Sequence, residues 1–272
     1  MPAAEAPTTA PPGAAFTQDT VEADGFDVTY WSAGDGDPVV WLHGAGGPQF
    51  SYALDALAQT HRVVVVQLPG FGESPVNDRT QSAGEMASTV AAVIAALGIS
   101  PAHVWGTSMG GIVATRVALE HPDALRSLVV EGPGAFRRGG PNPGEMTPEQ
   151  IVAAFNRHPE RVTYRQMSPP DPKRWELVMR IMGSDYDEAL EARLGEIQAP
   201  TLAFWGIDDG IIPAESGRIY KEHMLHCAYV LVYDAAHDVQ GDRPEACVGL
   251  VRDFLERGMT FVINKQDARV AP

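Results

Sequence analysis

The sequence predicts an α/β fold, a mostly parallel sheet with helices on both faces, and three observations lead there. Short apolar runs rich in β-branched residues, such as Arg62-Val63-Val64-Val65-Val66, alternate with segments of helical period. At one junction between such a run and a helix a serine stands among glycines, in Gly106-Thr107-Ser108-Met109-Gly110-Gly111. Between Gly134 and Gln198 the alternation breaks, and helix signals occur without a convincing strand.

The elements follow in order. Residues 1–15 read as a floppy tail: Pro2 to Ala14 is rich in Pro, Ala and Thr and has neither the basic nor the apolar region of a signal peptide. An antiparallel start spans Phe16 to Trp31, and strands are expected near Val39–Leu42, Arg62–Val66, His103–Gly106, Arg126–Val130, Leu202–Trp205 and Cys227–Tyr233. Ala83–Leu97 reads as a helix with Met86, Val90, Val93, Ile94 and Leu97 on one face and Gly98 as its stop. A further helix starts at Met109, and the last runs over Pro244–Leu255. The predicted core is therefore 16–133 and 199–258, with 134–198 as a helical lid and 259–272 as a second tail. No internal repeat is present.

The serine segment reads as a nucleophile elbow, in which Ser108 sits on a strained strand-to-helix turn and only glycines fit at Gly106 and Gly110. The helix from Met109 points its first amides at whatever oxygen Ser108 attacks. Such a motif alone says little, because glycine and serine are common turn formers. Context decides. The strand Thr201-Leu202-Ala203-Phe204-Trp205-Gly206 ends in Ile207-Asp208-Asp209, and the strand from Ala228 to Tyr233 ends in Asp234-Ala235-Ala236-His237. A serine hydroxyl is a poor nucleophile at neutral pH; an imidazole must take its proton and a carboxylate must fix that imidazole. Either carboxylate or histidine alone would be an ordinary turn or surface residue. Together, in the order serine, acid, histidine at strand ends, they make a set. The spacing from Gly206 favours Asp209 over Asp208, with Asp234 as the outsider.

Pro38 to Leu42 runs into His43-Gly44-Ala45-Gly46-Gly47, a glycine-rich turn suited to a second oxyanion donor. Phosphate binding is the competing idea, but neither GxGxxG nor GxxxxGK[ST] is present there.

From Val28 to Leu255 the chain resembles the α/β-hydrolase superfamily. The resemblance is carried by His43-Gly44, Pro69-Gly70-Phe71-Gly72-Glu73-Ser74, the Gly106–Gly111 elbow, Gly206-x-x-Asp209 and His237. It implies the α/β-hydrolase fold with an inserted lid, Ser108 as nucleophile, Asp209 as acid, His237 as base, and the main-chain amides of Ala45 and Met109 as oxyanion hole. Gln67 stands where the family usually has Asp, and Ala236 where it often has Gly.

Composition fits a single-core enzyme. Of 272 residues 44% are hydrophobic, and 35 acidic against 20 basic residues give a net charge of −15. That charge repels phosphate backbones and anionic lipid, so neither nucleic acid nor membrane is an expected partner. Cys227 and Cys247 read as buried thiols, no CxxC or HExxH suggests a metal, and no cofactor motif occurs. The expectation is a cytoplasmic enzyme acting on a small molecule, with a homodimer left open.

In the lid, Thr147-Pro148-Glu149-Gln150 reads as a capping box with Ile151, Val152 and Phe155 on the apolar side of its helix. Asp171-Pro172 starts another, whose Trp175, Val178, Met179 and Met182 fall at i, i+3, i+4 and i+7. This stripe faces either the main domain or substrate. Trp175 and Met179, with Gly44 and Gly46 at the oxyanion turn, are the expected substrate contacts.

An apolar lid, a serine nucleophile and no cofactor suggest hydrolysis of a small apolar ester or lactone. Glu131-Gly132-Pro133-Gly134 and Ala192-Arg193-Leu194-Gly195-Glu196-Ile197 are also similar to meta-cleavage-product hydrolases, which cut carbon–carbon bonds with the same triad. That group typically has Trp where Asp238 stands, and its anionic substrate needs a cation such as Arg137, Arg138, Arg165 or Arg180. The sequence expectation is therefore ester cleavage, with carbon–carbon cleavage as runner-up. Perhydrolase or acyl-transfer chemistry and a hydrolase-like ligand receptor remain open.

Overall fold

The computed structural model describes residues 10–140, 145–162, 165–166 and 174–262. In chain order the elements are β1 (Thr17–Ala23), β2 (Phe26–Ala33), β3 (Pro38–Leu42), β4 (Gln49–Phe50), α1 (Tyr52–Leu57), β5 (Arg62–Val66), α2 (Ala83–Ala96), β6 (Ala102–Thr107), α3 (Met109–Glu120) and β7 (Leu125–Glu131). Then come α4 (Pro148–Phe155), β8 (Arg165–Gln166), α5 (Trp175–Met182), α6 (Glu188–Glu191), β9 (Thr201–Gly206), α7 (Arg218–His223), β10 (Cys227–Val232), α8 (Val239–Asp242) and α9 (Pro244–Arg257).

The main sheet has the order β1-β2-β5-β3-β6-β7-β9-β10. Its first strands pair antiparallel and the rest run parallel. Side chains alternate faces as the pleat requires. Val40, Leu42, Val64, Val66, Val104 and Val130 join one buried cluster with residues of α2, α3 and α5. Val39, Trp41, Val63, Val65, Trp105 and Val129 join a second with α1 and α9. Burial on both faces is why these strands read as unbroken apolar runs rather than as alternation.

Sheet order also places the site. β3 pairs with β5 on one side and with β6 on the other, Leu42 lying opposite Gly106. The chain leaves β3 in one direction and returns to its other side, which opens a crevice at the carboxyl ends of these strands. The 43–47 turn and the Ser108 elbow thereby become neighbours.

Residues 10–15 and 258–262 lie at the two ends of the described chain and pack on the core. Gly13 donates its amide to both carboxylate oxygens of Asp55 at 3.0 and 3.1 Å, so residues 10–15 are partly docked. At the other end Gly258–Val262 forms a 3-10 turn whose Phe261 is buried against Phe254, at 5.6 Å between ring centroids. The lid segment holds α4, α5 and α6, and also β8, which pairs with β4. Thr147 makes both halves of the expected capping box with Gln150. The helix start expected at Asp171-Pro172 lies outside the described residues, and α5 begins at Trp175. Among the described residues no helix is long and apolar enough to cross a membrane.

Candidate active site

Ser108 occupies the turn between β6 and α3 with φ 54° and ψ −118°, a strained conformation for a residue with a side chain. A β-carbon at Gly106 would lie 2.1 Å from the Gly110 carbonyl oxygen, so the elbow closes only with glycine there. Two bonds hold the turn: Ser108 donates its amide to the Glu131 carbonyl at 2.8 Å, and its own carbonyl accepts from Gly111 at 2.9 Å.

Across the crevice, a β-carbon at Gly44 would sit 3.3 Å from Ser108 Cβ, which places this turn directly against the serine. His43 fixes the turn. It is buried, its Nδ1 bonds the Gly44 carbonyl at 2.7 Å, and its Nε2 accepts from the Leu68 amide at 3.1 Å. Burial pushes its pKa down to about 4, against the Gly44 hydrogen bond, so the ring is neutral and can serve both contacts at pH 7. Gln67, where the family usually has Asp, donates to Ser74 Oγ at 2.7 Å and closes the loop that follows β5. Among the described hydrogen bonds, the Ala45 and Met109 amides donate to no protein acceptor. Both amides are thereby left available as donors on the two segments that meet at Ser108. Gly46 lies on the exposed rim with open space around it.

The acid and histidine come from adjacent loops. A β-carbon at Gly206 would lie 2.0 Å from the Ala236 carbonyl oxygen, and this close approach draws the end of β9 onto the loop after β10. Asp209 Oδ2 is 2.8 Å from His237 Nδ1. Asp209 Oδ1 accepts from the Ile211 and Ile212 amides at 2.9 and 2.8 Å, which locks the carboxylate. Both side chains are buried, at 3% and 1% exposure. Burial disfavours the imidazolium, but the Asp209 carboxylate more than offsets it, and the pKa of His237 is raised above its ordinary 6.5. Among the described residues His237 Nε2 is buried without a hydrogen-bond partner, so its lone pair can take a proton. Asp208 instead lies 3.8 Å from Arg157 at the surface, and Asp234 pairs with His158 at 2.9 Å. A β-carbon at Gly132 would meet His237 Cε1 at 3.3 Å and Asp209 Oδ2 at 3.4 Å. The Glu131-Gly132 step thus touches both parts of the site, Ser108 through the Glu131 carbonyl and the Asp209–His237 pair at Gly132.

Trp175 and Met179 are 60% and 50% exposed, while Leu177, Val178 and Ile181 are the buried face of α5. The stripe is rotated because α5 packs on α2 and α3 and seats Leu177 against Gly70. Among the described lid residues, Phe155 at the end of α4 lies edge-on to His237, at 5.1 Å between ring centroids. Its carbonyl accepts from the Asp238 amide, and Asn156 Nδ2 donates to Asp238 Oδ2 at 2.8 Å. Of the arginines, Arg137 pairs with Asp185, Arg138 stacks on Tyr186, and Arg180 donates to the Asn77 and Thr80 carbonyls. The side chain of Arg165 lies outside the described residues.

Sequence reasoning missed the roles of two buried acids. Buried Asp242 accepts from the Ala236, Arg157 and His158 amides, all at 2.8 Å, tying the histidine loop to the lid. Fully buried Glu131 accepts from Thr107 Oγ1 at 2.9 Å and from Gln240 Nε2 at 2.8 Å. Burial, then the Asp238 charge, raise its carboxyl to about 7. The available signal was an acid closing a strand otherwise wholly apolar from Leu128, since buried acids are rare without partners.

Comparisons with known proteins agree with this architecture. The model of the alpha/beta hydrolase family matches residues 39–250. The chain is 30% identical over 263 residues to a 2-hydroxy-6-oxo-6-phenylhexa-2,4-dienoate hydrolase of Comamonas testosteroni, covering 85% of this chain and 92% of that one. It is 28% identical to a pimeloyl-[acyl-carrier protein] methyl ester esterase of Aeromonas hydrophila, covering 82% and 96%. In structure it superposes on a 2-hydroxy-6-oxo-6-phenylhexa-2,4-dienoate hydrolase of a Rhodococcus species with a TM-score of 0.75 at 23% identity, over 89% of this chain and 99% of that one. With a sheet of this order, an elbow at its switch point and a matching family model over most of its length, the chain belongs to the alpha/beta hydrolase family and is a hydrolase.

Proposed function

We propose that the protein cleaves a carbon–carbon bond in a 2-hydroxy-6-oxo-dienoate, with Ser108 as nucleophile, His237 as base and Asp209 as its orienting acid. The observation that carries the reading is full-length kinship: dienoate hydrolases from several bacteria align over more than four fifths of this chain. This moves the balance away from the ester reading that the motifs alone favoured.

The chemistry suits the site. In its 2-oxo tautomer such a substrate has a methylene at C5 beside the C6 ketone. His237 Nε2 takes the Ser108 proton as Oγ adds to C6, and the Ala45 and Met109 amides stabilise the oxyanion. Collapse breaks the C5–C6 bond, its electron pair spreads to the 2-oxo oxygen, and the imidazolium returns the proton to this dienolate. Water then hydrolyses the acyl-Ser108 ester. The sum is one water consumed, one carboxylic acid and one hydroxydienoate released.

A short apolar ester is the second reading, favoured by Asp238 in place of Trp after His237 and by the methyl ester esterase among the relatives. Both substrates pass through the same acyl-enzyme. Parallel kcat/KM measurements on the 6-phenyl dienoate, followed by loss of its chromophore, and on 4-nitrophenyl butyrate decide between them. The proposal expects the dienoate to be preferred and both rates to vanish in Ser108→Ala. A higher kcat/KM for the ester would overturn it.

A further inference from the structure

Behind the strand ends lies a buried polar network that the reacting groups themselves do not use. Glu131 Oε2 receives two hydrogen bonds, from Thr107 Oγ1 and Gln240 Nε2, while its Oε1 is buried without a partner among the described residues. Gln240 Nε2 also reaches Thr107 Oγ1 at 3.3 Å, and Gln240 Oε1 accepts from Ser51 Oγ at 2.8 Å.

Each member belongs to a different wall of the site. Thr107 immediately precedes Ser108. Gln240 sits on α8, in the turn that follows His237. Ser51 caps α1 and also bonds the Leu54 amide, so the network reaches the chain just after the 43–47 turn. Glu131 contributes its backbone as well, through the carbonyl that accepts the Ser108 amide. An acid is expensive to bury in an apolar strand, and the partners that compensate it here lie on the segments that must be aligned.

We infer that Glu131 is a positioning residue for the nucleophile and the base, its Oε2 holding in register the strand end before Ser108 and the helix after His237. The inference rests on Ser108 and His237 being the reacting pair. Without that oxygen, the Thr107 hydroxyl and the Gln240 amide would lose their shared acceptor in a dry environment and would turn to other partners, moving both segments.

The electrostatics add a signature that a merely structural residue would lack. The titratable groups acting on Glu131 are Asp238, His237 and Cys247, and those acting on His237 are Asp209, Glu131 and Asp238. Burial and Asp238 oppose its ionisation, and His237 favours it. Reciprocally, a carboxylate at Glu131 favours the His237 imidazolium. The base must be neutral to act, so removing this charge moves the acid limb of the pH profile downward.

Two variants separate position from charge. Glu131→Gln keeps an acceptor oxygen for Thr107 and Gln240 and removes the ionisation; Glu131→Leu removes both. The probe is an alkyl fluorophosphonate, which reports the nucleophilicity of Ser108 without a substrate assumption. The Leu variant should label about ten- to a hundred-fold more slowly. The Gln variant should recover most of that rate at alkaline pH, with an acid limb below that of wild type. Near-ultraviolet circular dichroism checks that the Leu variant is folded; if it is not, the pH profile of the Gln variant decides. Wild-type rates and an unmoved limb in both variants would overturn the inference while leaving Ser108 as nucleophile. Labelling that persists in Ser108→Ala would instead overturn the reading on which it rests.

Discussion

The sheet edge carrying Ser108, Asp209 and His237 and the segment 134–198 that touches it are held in place by different means. At the edge, position follows from backbone necessity: the left-handed turn at Ser108, the close approach at Gly206, and a carboxylate pinned by two successive amides. The lid segment is placed by side-chain packing and by a few long-range bonds, chiefly Asp242 to Arg157 and His158. Backbone necessity leaves a trace in residue type at a fixed spacing. Packing leaves only an apolar stripe. The chemistry is therefore readable from short motifs, and the substrate specificity that a lid supplies is not.

The comparison breaks most sharply at Ser108. Replacing it with alanine should lower kcat by roughly a million-fold, since loss of a nucleophile leaves only oxyanion stabilisation and binding. The variant should keep its melting temperature or gain slightly, because alanine removes no hydrogen bond in which the hydroxyl takes part among those described. Activity retained at a few per cent of wild type would show that the edge is not the reacting centre.

Next comes the choice between adjacent carboxylates. Asp209→Asn should cost about ten thousand-fold in kcat by presenting an amide where His237 needs an acceptor, leaving the wrong tautomer. Asp208→Asn should change kcat by less than about three-fold, because its partner Arg157 is distant and both side chains are about half exposed. The reverse pattern in steady-state kinetics would reassign the acid. Wild-type kcat/KM should also fall on its acid side with a midpoint above the ordinary 6.5 of histidine, as the Asp209 carboxylate requires. Asp209→Asn should lower that midpoint.

How much of the molecule was legible follows the same division. The strands at 39–42, 62–66 and 202–205 were visible because sheets buried on both faces admit only apolar residues there. The Asp209–His237 pair and the turns at 106–111 and 43–47 were legible as positions because each needs particular residue types at a strand end. The buried face of α5 was not. Trp175, Leu177, Val178, Met179, Ile181 and Met182 leave it apolar nearly all round, so spacing alone could not say which side meets α2 and α3. Glu131 was hidden for another reason: strand alternation gives its face but not its partner Gln240, 109 residues away. The docking of Gly13 on Asp55 is likewise a long-range bond with no local pattern.

The lid can be used to sharpen this. Phe155→Ala should reduce kcat/KM by about ten-fold, since it removes the ring packed edge-on to His237 and opens the base to water. Trp175→Ala and Met179→Ala, at half-exposed positions on the other side of α5, should stay within about three-fold of wild type, as ordinary surface changes do. Losses from Trp175 or Met179 that match those from Phe155 would mean that the solvent-facing side of α5 turns inward when substrate binds.

The smallest expected effect tests the edge through stability. Burial raises the Glu131 carboxyl from an ordinary 4.5 to about 7, so the folded chain holds this proton more tightly than the unfolded chain. The resulting stabilisation is complete below 4.5 and is lost as pH rises through about 7, amounting to at most ~3 kcal/mol. His237 acts in the same direction, because its pKa is also raised on folding; its contribution is lost only above 6.5. Glu131→Gln removes the first contribution and reduces the second, since the Glu131 carboxylate is one of the charges that raise His237. Thermal melts at about pH 5 and about pH 8 should therefore show the difference between the Gln variant and wild type growing in favour of the variant at the higher pH, by a few degrees for a chain of this size. A difference that does not change with pH would mean that Glu131 titrates alike in the folded and unfolded chains, and that the dry environment behind Ser108 is open to water.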